Sequence, residues 1–107
     1  MILVIGDLDQ WVAAGRPLPD GEIAYAVVGD LNRALLRRLS PDLVLAPLST
    51  PAFDAFEVAR RLARAGYRGP FRAVTLPLPH PDLVRDEVAA VAPDLDFDLV
   101  VIERPLN

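Results

Sequence analysis

Five short runs of apolar residues, none alternating with polar ones, decide what this chain can fold into. They are Ile2-Leu3-Val4-Ile5, Ile23 to Val28, Leu43-Val44-Leu45-Ala46, Phe71 to Thr75 and Leu99-Val100-Val101-Ile102. A strand with one wet face alternates in polarity. A strand apolar throughout is buried on both faces, as in a parallel sheet. Parallel neighbours need long crossovers, and the segments between the runs have helical spacing. Leu31, Leu35 and Leu39 fall at i, i+4 and i+8, with Asp30 as the expected N-cap. Ala55, Val58, Ala59 and Leu62 form a second stripe, with Arg60, Arg61 and Arg64 turned outward and Gly66 as the stop. A third helix is predicted from Pro81 to Ala92, with Val84, Val88 and Val91 as its stripe. Pro81 suits its first turn, and Asp82 its positive end. Alternating strands and helices predict an α/β fold with a five-stranded parallel sheet. At 107 residues, the chain is a single domain over 1–107.

Two connections break the pattern. Gly6 to Glu22 holds Gly15, Pro17 and Pro19, leaving only Asp9 to Ala14 for a first helix, which is therefore stunted. After Ile102 only Glu103 to Asn107 remain, so the last helix is expected to be absent.

Composition removes several chemistries. There is no cysteine, hence no disulfide, thiolate metal site or cysteine nucleophile. All eleven basic residues are Arg, so no Lys serves as a catalytic amine or phosphate sensor. His80 is the only histidine and reads as solvated loop. A 52% hydrophobic content excludes a disordered chain. No apolar run reaches the ~18–20 residues of a membrane span, and Met1 is followed by no basic leader. A net charge of −4 argues against nucleic acid as partner. Asp94, Asp96 and Asp98 lack the Gly and terminal Glu of a calcium loop and read as a turn and a strand start. No cofactor or metal is expected.

The segment Pro41-Asp42-Leu43-Val44-Leu45-Ala46-Pro47 resembles the third strand of a response-regulator receiver domain, where the pattern is P-D-L-V-L-x-D and the last Asp accepts the phosphoryl group. The register continues through Pro51, through Asp54-Ala55 at the family's D-G pair, and through Phe56 to Leu62 at its third helix. Ala65 to Pro70 resembles the next turn, and Thr75 stands where the family has a hydroxyl residue on the phosphoryl group. Gly6 and Asp7 stand at its two acidic positions. Arg104-Pro105 resembles its Lys-Pro pair. The resemblance implies a receiver-like (flavodoxin-like) three-layer fold and a cytoplasmic, bacterial two-component signalling context.

The departures change the chemistry. Pro47 replaces the phosphoacceptor and has no carboxylate. Gly6 removes one metal-binding acid, and one carboxylate is a poor Mg²⁺ site. The expected function is thus a degenerate receiver-like protein-interaction module, not an enzyme, around a vestigial pocket of Asp7, Pro47, Thr75 and Arg104. Two alternatives stand beside it. Asp7-Leu8-Asp9 resembles the first motif of haloacid-dehalogenase-like phosphatases, with Asp7 as nucleophile and Asp9 as general acid/base. Alternatively, Asp7, Thr75 and Arg104 form a small-anion sensor. Structural roles compete at each position: Asp7 as a turn cap, Thr75 as a plain strand end, Asp54 as a helix cap.

With the first helix stunted and the last absent, one sheet face is expected to meet water. Leaving several hundred Å² of apolar surface wet forgoes on the order of 10 kcal/mol. The segment Leu8 to Pro19, with Trp11, Val12 and Leu18, can cover part of it, and a second copy the rest; a homodimer is therefore expected, with Trp11, Val100 and Ile102 near its interface. The arginines on the helices of the Leu31 and Ala55 stripes (Arg33, Arg37, Arg38, Arg60, Arg61 and Arg64) read as a solvated face able to dock an acidic partner.

Overall fold

The computed structural model describes residues 1–6 and 21–102. Five strands form one all-parallel sheet: β1 (Ile2–Ile5), β2 (Ile23–Ala26), β3 (Leu43–Pro47), β4 (Pro70–Thr75) and β5 (Asp96–Val101). Their order is β2-β1-β3-β4-β5. This is the order of flavodoxin-like folds, which reverse direction between β1 and β3. Three helices follow β2, β3 and β4 in turn: α1 (Arg33–Leu39), α2 (Ala55–Arg64) and α3 (Pro81–Val91). The first connection and the C-terminus, where a stunted and a missing helix were expected, lie largely outside the described residues.

All three helices pack on one face. Leu3, Ile5, Val44, Ala46, Phe71, Ala73 and Leu99 point there from the strands. Leu36 of α1, the Ala55/Val58/Ala59/Leu62 stripe of α2 and Val88 of α3 meet them. Phe71 and Phe97 add a tilted aromatic pair, centroids 5.4 Å apart.

Local chemistry sets the helix ends. Asp54 caps α2, its Oδ1 accepting from the Glu57 N–H at 3.0 Å. At the other end Gly66 takes φ +83°, and the Tyr67 N–H reaches back to the Leu62 carbonyl at 2.9 Å. That is a Schellman stop, for which glycine is the natural residue. Asp30, the expected cap of α1, instead ends a short 3-10 turn (Val28–Asp30). Asn32 is the cap, accepting from Leu35 N–H at 2.8 Å. The helix starts later because Leu31 is extended and its N–H bonds to the Val28 carbonyl. In α3, Val91 turns outward, 39% exposed, and Ala92 and Leu95 complete the buried stripe.

The opposite face is a second apolar cluster of Ile2, Val4, Leu45, Val74 and Ile102. No described helix lies over it, yet these side chains are at most 7% exposed in a single copy of the chain. The wet face expected from the sequence is thus not found at the centre of the sheet. Ile102, expected near a dimer interface, is fully buried against this cluster. Val100 is half-buried beside it, and Trp11 lies outside the described residues.

Candidate functional site

In sheets of this order, ligands bind outside the C-terminal strand ends, at the point where the order reverses. Here that point is the end of β1 and the end of β3, hence Gly6 and Pro47. Parallel pairing of β1 with β3 brings them level. Of the four pocket residues expected from the sequence, Pro47 and Thr75 are described. Asp7 and Arg104 lie outside the described residues, as does Asp9.

An aromatic side chain lies against this end of β1. Gly6 has φ +75°, and a Cβ built on it would lie 2.8 Å from Cζ of Phe53 and 3.9 Å from Cδ of Pro47. The Phe53 ring therefore rests on the Gly6 backbone, next to the buried Pro47 ring. Only glycine suits position 6, for its conformation and for the space.

The loop after β3 holds the ring there. Thr50 Oγ1 accepts from the N–H groups of Ala52 and Phe53 at 3.1 and 3.0 Å, and its hydroxyl donates to the Phe53 carbonyl at 3.0 Å. The Thr50 N–H bonds to the same carbonyl at 2.8 Å, and the Leu48 carbonyl accepts from Ala55 N–H. Ser49 and Asp54 form an isolated antiparallel bridge. Six residues are thus closed into a knot with Phe53 at the crevice and Asp54 at the helix cap.

Thr75 ends β4, one residue beyond the partner of Pro47. It is 6% exposed, and its hydroxyl donates to the Leu76 carbonyl at 2.8 Å. The proton an anion would need from it is already committed. The side chains at positions 6 and 47 supply no oxygen ligand, so the Mg²⁺ that the receiver resemblance implies does not fit the described residues. No cluster of metal-ligating side chains occurs among them elsewhere.

Three aspartates near the start of β5 have structural partners. Asp94, Asp96 and Asp98 each meet a different arginine: Arg68 at 3.8 Å, Arg72 at 3.4 Å and Arg85 at 2.8 Å. The Arg85 guanidinium, helped by the Leu99 N–H, holds the Asp98 carboxyl below the usual range. His80 precedes α3 in exposed loop and makes no side-chain cap. Tyr67 donates to the Pro70 carbonyl at 2.8 Å, and burial, with Asp42 nearby, pushes its phenol up to about 12.

The sequence register found Gly6 and Pro47. It missed Phe53, because an apolar residue just before a helix cap ordinarily reads as a staple on the first turn. The hint was the coincidence of Gly6, Pro47 and an aromatic residue six positions on.

Comparison with protein-family models, curated proteins and solved structures finds no match for this chain.

Proposed function

We propose that this chain is a receiver-like interaction module that works without aspartyl phosphorylation. One observation carries the proposal: Gly6 and Pro47 stand where a receiver would hold an acid and its phosphoacceptor, and the Phe53 ring lies against Gly6. A fold that keeps the sheet order but has no carboxylate at the phosphoacceptor position retains surfaces rather than that chemistry. A cytoplasmic place in signalling belongs to the same proposal. Among the described residues no helix is long and apolar enough to cross a membrane.

The test is intact mass after incubation with acetyl phosphate and Mg²⁺. An unchanged mass is expected. Addition of a phosphoryl group, retained in the folded protein and lost on treatment with hydroxylamine, contradicts the proposal.

A homodimer is proposed only as a property to be measured. Burial of Val4, Leu45, Val74 and Ile102 in one copy removes the large apolar face that motivated it. Light scattering over a dilution series decides: a stable dimer supports it, and a concentration-independent monomer removes it.

A further inference from the structure

The arginines among the described residues fall into two groups. Arg61, Arg68, Arg72 and Arg85 each meet a carboxylate. Arg33, Arg37, Arg38, Arg60 and Arg64 are exposed, and none meets a carboxylate among the described residues. Four of these five line one feature. Two adjoining depressions of about 400 and 390 Å³ run between α1 and α2 and share Arg33 and Ala65. Arg33 and Arg37 stand along one wall, Arg60 and Arg64 along the other. Leu36 and the half-buried Tyr67 give the second depression an apolar floor.

This charge pattern does not stabilise the chain on its own. Arg33 and Arg37 are spaced i, i+4, as are Arg60 and Arg64, and like charges at that spacing cost a helix a few tenths of a kcal/mol. Glu57, the groove's single acid, is paired with Arg61 at 3.2 Å. Five positive groups face one negative group here, in a chain whose formal net charge is −4. A concentrated positive groove on an acidic protein favours a negatively charged partner and steers its approach.

We propose that the α1–α2 groove docks an acidic, amphipathic helix of a partner protein. The fit is in the spacing. Charges repeated at i, i+4 on both walls, about 5–6 Å apart, match carboxylates at i, i+4 on a helix lying between them. The apolar floor matches that helix's other face, the usual helix-in-groove arrangement. A single phosphate would want converging, buried donors. These arginines are exposed and spread along an open trough. The proposal rests on the interaction-module reading and names its surface.

The test uses the full chain and a fluorescent alanine-rich helical peptide with Glu at every fourth position and Leu on one face. Its Glu→Gln counterpart, a single-stranded oligonucleotide and inorganic polyphosphate are the competing probes. Saturable binding to the Glu peptide, weakened by salt and absent for the Gln peptide, is expected. The triple change Arg33→Glu, Arg60→Glu, Arg64→Glu should weaken it by about tenfold or more, with the thermal melt unchanged. Arg68→Gln, outside the groove, should leave it alone. No binding at millimolar peptide, equal binding of the Gln peptide, indifference to the triple change, or tighter binding of oligonucleotide or polyphosphate would each overturn the proposal. Those failures leave the acetyl phosphate result untouched. A phosphoryl group gained there sinks the module reading without bearing on the groove.

Discussion

Position 6 shows how one residue can close a site. With φ +75°, an L side chain at Gly6 costs roughly 1–3 kcal/mol, and its Cβ would also press on the Phe53 ring at 2.8 Å. Gly6→Ala should therefore destabilise the protein by at least about 1–3 kcal/mol in chemical denaturation. In a Phe53→Ala background the steric part disappears, so the same change should cost less. A penalty for Gly6→Ala that is identical in both backgrounds would show that the ring does not rest there. Pro47→Asp alone should not create a phosphorylatable residue, because Gly6 and the Phe53 ring remain. Intact mass after acetyl phosphate checks this, and a phosphoryl adduct on that variant would contradict it.

Elements behave as their ends and stripes dictate. Asp54 holds the start of α2 through one hydrogen bond to Glu57 N–H, so Asp54→Ala should cost about 1 kcal/mol. It also sits in the loop that places Phe53, so the loss should spread to the amide shifts of residues 48–54. In the α2–β4 turn, Tyr67 has its phenol raised to about 12 by burial first. The fold therefore favours the neutral phenol. That contribution is complete below about pH 10, the unfolded value, and is lost as pH rises toward 12. Tyr67→Phe should flatten the alkaline limb of the stability curve. Asp98, held low mainly by Arg85, contributes above the ordinary carboxylate range and loses its contribution as pH falls. Strands and stripes were readable because burial forces their periodicity. The start of α1 was not. Asp30 and Asn32 are both good caps, and only the turn after β2 decides which one is used. Val91 misled because it continues the valine spacing of α3, while the helix ends there and Ala92 and Leu95 face the core.

For the whole molecule, the sequence predicted the parallel α/β sheet correctly, since unalternating strands with helical crossovers permit few other arrangements. The second face was less legible. Apolar spacing shows which residues want burial, and not what covers them. Ile102 illustrates this: expected at an interface, it is buried in one copy with Val4, Leu45 and Val74. Ile102→Asp should therefore abolish cooperative unfolding rather than yield a soluble monomer, since a lone charge in this cluster costs several kcal/mol. Circular dichroism melts and light scattering on the same sample separate these outcomes. The charge layout is also global. Arginines on β4, α3 and the turn after α2 are matched by Asp94, Asp96 and Asp98, whereas Arg33, Arg37, Arg38, Arg60 and Arg64 on α1 and α2 are exposed as a group.

With Phe53 against Gly6 and no carboxylate at Pro47, the β1–β3 crevice should not respond to a phosphoryl group. The most direct measurement is the amide spectrum of the labelled protein before and after addition of Mg²⁺ and beryllofluoride, a phosphoryl mimic. Superimposable spectra are predicted. Saturable shifts clustered at residues 5–6, 48–54 and 75–76 would contradict the claim and show that Phe53 yields to a ligand.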